Sequence, residues 1–206
     1  MNINERFIVT ISRELGAGGR TVGRELAARL GVKFYDKSIL EGLVKEFNLT
    51  EEQIEELKGR KQGWWSEFCD KLSRGGSPDF SDYEVTPDDL FKAESRILAE
   101  IAAEESCVVA GRAGFHVLRN HPNKVRVFLR ASLVNRLGRV MERQHLSEAK
   151  AAEVIAKVDE GRENYVKRYT GSSRYDARNY DLVLNMDSLS VEDAVEVILD
   201  YIRRSE

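Results

Sequence analysis

Apolar positions along this chain follow two periods. Short, unbroken or alternating runs at Phe7–Ile11, Val32–Tyr35, Cys107–Ala110, Val125–Leu129 and Asp181–Asn185 predict five strands, the unbroken ones suited to burial on both faces of a sheet. Between them the spacing turns helical. Val22, Leu26 and Leu30 form one stripe from Thr21 onward, and Gly31 stands where a left-handed cap ends a helix. Ile39, Leu40, Leu43 and Val44 predict a helix starting near Lys37, and Thr50-Glu51-Glu52-Gln53 reads as a capping box before a short helix with Ile54 and Leu57. Thr86-Pro87-Asp88-Asp89 opens a helix whose apolar face is Leu90, Phe91, Ile97, Leu98 and Ile101. Another runs from about Ser132 with Leu133, Leu137, Val140 and Met141, and the charged stretch Ser147–Tyr169 is helical in pattern. Ser190 caps a final helix, with Asp193 three residues on and a stripe including Val191, Val195, Ile198 and Ile202. Strands alternating with helices predict a parallel sheet covered on both faces.

Gly59 to Pro87 breaks the pattern with Gly63, Gly75-Gly76 and Ser77-Pro78. An element this long inside a compact domain is expected to be a lid or binding segment. Its Trp64, Trp65 and Phe68 would pin it to the core, stack on a base or meet a second subunit. The 206 residues suit one domain, 1–206, carrying this insertion at 59–87 and a lid-like segment at 147–175.

Composition narrows the classes. Hydrophobic content of 42% with 33% charged residues fits a soluble globular protein, and a net charge of −3 argues against nucleic acid as a partner. No apolar run is long enough to cross a bilayer, so no membrane partner is expected. Cys69 and Cys107 are far apart and in no metal spacing, and His116, His121 and His145 form no ligand set, so no resident metal site is expected. With no signal peptide, a reduced, cytoplasmic protein is the expectation. Oligomeric state is not legible.

The chemistry concentrates in Ser12-Arg13-Glu14-Leu15-Gly16-Ala17-Gly18-Gly19-Arg20-Thr21, which joins the first strand to the first helix. Three glycines in four positions let the backbone approach a ligand, and a helix start aims N–H groups at an anion. Neither G-x-x-x-x-G-K-[ST] nor G-x-G-x-x-G is complete: Gly19 stands at the lysine position and Thr21 at the third glycine. Arg13, Arg20 and Arg24 nevertheless surround the turn, and guanidinium suits phosphate. Asp36, closing the second strand, either faces the ligand crevice or caps the next helix. Asp159, Arg162, Lys167 and Arg168 precede the polar turn Thr170–Ser173 and suit either a solvated helix face or a mobile lid.

Taken together, Ile11–Glu14 entering Gly16–Gly23, Gly111-Arg112 after the third strand, Phe34-Tyr35-Asp36, and Asp181–Ile198 resemble the cytidylate kinase-like family among the nucleoside monophosphate kinases. The resemblance covers nearly the whole chain. It implies an α/β, three-layer P-loop kinase fold with a five-stranded parallel sheet in order 2-3-1-4-5. It also implies ATP-dependent phosphoryl transfer to a nucleoside monophosphate or similar small acceptor, with Mg2+. By position, Arg13, Gly16, Ala17, Gly18, Gly19, Arg20 and Thr21 would hold the donor phosphates. Asp36 and Arg112 would bind the acceptor, and Arg20, Arg112, Arg162 and Arg168 would be the catalytic cations.

The chain departs from the family pattern at Gly19, where the loop lysine is missing and Arg20 or Arg13 would substitute. It departs again at Ala110 and Ala113, which replace aspartates flanking Gly111-Arg112, and at Gly42, which replaces an arginine. A nucleotide-binding regulator without catalysis is the alternative these departures raise. A nicotinamide-dependent oxidoreductase fits only the first glycines and Asp36.

Overall fold

A computed structural model of the chain describes residues 1–36 and 87–205, the Asp89 side chain excepted. The expectations for the helix after Asp36, Gly42, the capping box at Thr50, and Trp64, Trp65 and Phe68 lie outside these residues.

Within them, β1 (Ile8–Arg13), α1 (Gly19–Leu30), β2 (Lys33–Asp36), α2 (Pro87–Glu104), β3 (Cys107–Ala110) and α3 (Gly114–Val117) occur in that order. They are followed by β4 (Lys124–Arg130), α4 (Leu133–Gln144), α5 (Glu148–Thr170), a 3-10 turn at Ala177–Asn179, β5 (Leu182–Asn185) and α6 (Val191–Arg204). The strands form one parallel sheet in the expected order β2-β3-β1-β4-β5. Ile8 pairs with Cys107 on one side and Lys124 on the other, so β1 is central.

The strand period of two explains the layers. Val9 and Ile11 of β1 point into one core with Val22 and Leu26 of α1 and Val195 and Ile198 of α6. Ile8 points to the other face and packs with Ile97, Leu98 and Ile101 of α2 and Val109 of β3. Cys107 is fully buried there, and burial pushes its thiol up to about 12, so it acts as a packing residue. A smaller core, with Val140, Ala151 and Ile155, joins α4 to α5.

Helix ends follow local chemistry. Gly31 takes the left-handed conformation at the end of α1 with φ of 67°, Ser132 and Ser147 accept N–H bonds from Asn135 and Lys150, and Ser190 and Asp193 cap α6 reciprocally. Two boundaries differ from the sequence reading. The first strand runs on to Arg13, because Ser12 and Arg13 keep pairing with Phe128 and Leu129 of β4. Helix α1 starts at Gly19, two residues early, because Gly18 already turns the chain at φ of 81°. That places Arg20 in the first helical turn.

Candidate active site

Three turns meet at the C-terminal edge of the sheet: the glycine turn after β1, Gly111–Ala113 after β3, and the polar turn after α5. Here a parallel α/β sheet leaves a crevice for ligands. The turn after β3 is held in unusual backbone: Gly111, Arg112 and Ala113 have φ of 85°, 54° and 51°. Three consecutive left-handed residues, two of them with side chains, store strain of the kind found at binding sites.

The glycine turn is packed on one side and open on the other. A Cβ at Gly16 would lie 2.9 Å from the Arg136 backbone, whereas one at Gly18 would meet nothing within 4 Å. Its Gly16 carbonyl faces α4: Arg139 donates to it at 3.2 Å and also to Met186 O at 2.8 Å. Among the described residues, the N–H groups of Gly16, Gly18 and Gly19 donate to no protein acceptor. Bare amides at a helix start are the donors an anion would take.

Beside this turn lies a cleft of about 370 Å³, floored by Ser12 and Ala110 and walled by Tyr165 and Val166 of α5. Its charged lining is Arg13, Arg112, Lys157, Arg162 and Arg174; no carboxylate lines it among the described residues. The guanidinium of Arg13 is drawn down to about 10 by burial and, in addition, by the charges of Arg162 and Arg174. Burial and then Arg174 lower Arg162 as well.

These cations are fixed from behind. Asp159 of α5 is buried and accepts the Leu15 N–H at 3.0 Å. Arg136 Nη1 reaches Oδ2 at 2.5 Å, and Arg174 and Arg162 approach Oδ1, the oxygen that takes the Leu15 N–H, at 3.4 and 3.5 Å. Arg174 and Arg162 also donate to the Arg13 carbonyl, at 2.7 and 3.3 Å. One carboxylate thus ties the glycine turn, α4, α5 and the turn after α5 together. On the far wall, Arg112 pairs with Glu94 of α2, a fully buried carboxylate, and lies 4.8 Å from the centre of the Tyr165 ring.

Of the residues expected to act from sequence, Arg13, Arg112 and Arg162 meet in the cleft. Gly16–Thr21 form the adjacent turn and first helical turn. Arg20 pairs with buried Asp36 at 2.7 Å beside the turn. Arg168 leans out to Asp88 at 2.8 Å on an exposed surface. Arg174, which sequence reasoning passed over, lines the cleft. Glu94 and Asp159 were also missed as site residues, although their spacing carried a signal: each sits on the buried stripe of its helix, Glu94 with Leu90, Ile97 and Ile101, and Asp159 with Ala151, Ile155 and Val166. An acid on such a stripe needs a buried cation.

A family model described as the cytidylate kinase-like family matches residues 8–188. The cytidylate kinase of Pyrobaculum aerophilum is 27% identical over 197 residues, covering 94% of this chain and 91% of its own. That of Sulfolobus acidocaldarius is 24% identical, with 95% and 94% covered. Among solved structures, an uncharacterized protein from Eubacterium ventriosum superposes with a TM-score of 0.73 at 24% identity, covering 96% of this chain and 98% of that one. A shikimate kinase from Bacteroides thetaiotaomicron, at 18% identity and with the same coverage, gives a TM-score of 0.54 and shares the fold.

Proposed function

The chain belongs to the cytidylate kinase-like family, and from that premise we propose that it is a phosphotransferase moving the terminal phosphoryl group of ATP to a nucleoside monophosphate or a similar small, phosphate-bearing acceptor. The observation that carries this reading is the cleft lined by Arg13, Arg112, Arg162, Arg174 and Lys157, with the family's glycine turn beside it. Its volume, about 370 Å³, suits one small ligand. Positive charge without a lining acid suits a ligand that is itself an anion.

The roles divide by position. The N–H groups of Gly16, Gly18 and Gly19, with the Thr21 hydroxyl, serve the donor phosphates. Arg112, steadied by Glu94, takes the acceptor's phosphate. Arg162 and Arg174 neutralise charge on the group in transfer, held in place by Asp159. Arg20 and Asp36 brace the first turn of α1, and Arg168 and Asp88 brace α5 against α2. Phosphoryl transfer asks little covalent chemistry of the protein; positioned charge supplies most of the rate.

Mg2+ would come to this site with the nucleotide. Among the described residues no cluster of acidic or imidazole side chains can hold a metal, and the Asp36 carboxylate pairs with Arg20. Magnesium ordinarily keeps its waters and binds through substrate phosphates with few protein ligands, and bound that way it would neutralise oxygens between the donor's last phosphates.

The test is ADP formation from ATP and Mg2+ across a panel of monophosphates and phosphorylated sugars. Acceptor-dependent ADP that disappears in Arg112→Ala supports the reading. Tight ATP binding without ADP for any acceptor would point instead to a regulator, the alternative that Gly19, Ala110 and Ala113 motivate.

A further inference from the structure

We propose that Arg13 supplies the cation that phosphate loops usually carry as lysine at position 19, and that residue 19 is glycine because the Arg13 stem lies against it. The proposal rests on the phosphotransferase reading and adds to it the group that faces the phosphate being moved.

Three observations carry it. The first is packing. A Cβ at Gly19 would stand 2.6 Å from Arg13 Cγ and 2.8 Å from its Cβ, and one at Gly111 would stand 2.3 Å from Arg13 Nη1. The stem of Arg13 therefore fills the place a side chain at position 19 would start from, and its head reaches the turn after β3. A lysine at position 19 and the observed arginine at 13 compete for the same space.

The second is the charge balance. Arg20, Arg112, Arg162 and Arg174 each have a carboxylate partner, respectively Asp36, Glu94, Asp159 and Asp159. Arg13 forms no ion pair among the described residues: Arg162, Arg174 and Arg20 surround it, and Asp36, itself paired with Arg20, is the one nearby carboxylate that favours its charge. Like charges gathered around an unpaired guanidinium are costly unless an anion joins them.

The third is fixation. The Arg13 carbonyl accepts from both Arg162 and Arg174, so the residue that launches the side chain is held at the floor of the cleft. Its head lies between the glycine turn and Arg112, the boundary a phosphoryl group crosses when it passes from donor to acceptor.

A charge-swap experiment tests this, with Mg-ATP affinity by calorimetry read beside ADP formation. Arg13→Gln keeps most of the stem and removes the charge, and is expected to weaken Mg-ATP binding by about 10- to 100-fold, the scale of a lost charged hydrogen bond. The double variant Arg13→Ala with Gly19→Lys restores the cation from the other position and should bind Mg-ATP at least about tenfold tighter than Arg13→Ala alone. Wild-type affinity in Arg13→Gln, or no recovery in a double variant that unfolds at the wild-type urea midpoint, overturns the assignment of Arg13 while leaving the phosphotransferase reading intact. A wild-type protein that binds no Mg-ATP overturns both.

Discussion

Replacing Asp159 tests whether one buried carboxylate organises the site. In the wild type it meets Arg136 at 2.5 Å and Arg174 at 3.4 Å, with side-chain exposures of only 12% and 3%, and accepts the Leu15 amide at 3.0 Å. Asp159→Ala leaves buried Arg174 without its carboxylate and Arg136 with only Glu14, 3.8 Å away, and breaking such a buried pair typically costs about 3–5 kcal/mol. Asp159→Asn keeps an oxygen for the Leu15 N–H and loses only the charge, so the expected loss is smaller, about 1–3 kcal/mol. Urea unfolding reads both. With a slope of about 1–3 kcal/mol per molar, Asp159→Ala lowers the midpoint by about 1–5 M. Because the pairs are buried, 1 M salt should leave most of that loss in place, screening being weak away from solvent. Mg-ATP affinity should fall in both variants, since Arg162 and Arg174 lose the group that aims them. A midpoint shift below about 0.3 M in Asp159→Ala, or a shift that vanishes in salt, would refute the idea that this carboxylate is a buried hub.

Other perturbations separate neighbouring roles. Gly111→Ala forces a φ of 85° on a residue with a Cβ and crowds the Arg13 guanidinium, so it should cost about 1–2 kcal/mol in unfolding and weaken Mg-ATP binding as well; Gly18→Ala, at φ of 81° in open space, should show a similar stability loss in the same urea assay. In steady-state kinetics, Arg174→Ala should lower kcat by about 100-fold or more, whereas Arg168→Ala, removing an exposed pair, should change it by no more than about threefold. Asp181 lies below the usual carboxylate range: burial works against this, but hydrogen bonds from the Arg126 side chain and N–H prevail. A depressed folded value stabilises above the unfolded value and loses that contribution as pH falls through the folded one, so wild-type Tm should drop more steeply than that of Asp181→Asn below about pH 4. Ile198→Ala, emptying a fully buried position, should cost about 2–5 kcal/mol by urea unfolding.

The sheet order matches what the family resemblance implies, and the elements themselves were legible from spacing. β1 and β3 are buried on both faces, so β3 is an unbroken apolar run and β1 is broken only by Thr10 before Ser12, and Ser132, Ser147 and Ser190 each announce a helix by a side chain acting on its own backbone. These are local effects. The cleft was legible only in part. Arg112 and Arg162 stand out by position in the family pattern, but the fate of Arg20 and Arg168 depends on Asp36 and Asp88, carboxylates that only the folded chain brings within reach. Arg174 lies in a turn with no periodicity to mark it. Glu94 and Asp159 could have been found as charges on apolar helix stripes, because an acid in that register has to meet a buried cation. The close approach of Arg13 to Gly19 and Gly111 is a matter of tertiary packing, and no spacing rule encodes it.

The central claim is that the glycine turn and the arginine cleft beside it hold phosphate together. A crystal structure with a non-hydrolysable ATP analogue and Mg2+ tests it most directly. The account predicts the donor phosphates on the amides of Gly16, Gly18 and Gly19, with the terminal one within hydrogen-bond distance of the Arg13 guanidinium. Phosphates bound elsewhere, with those amides untouched and Arg13 facing only protein, would contradict it.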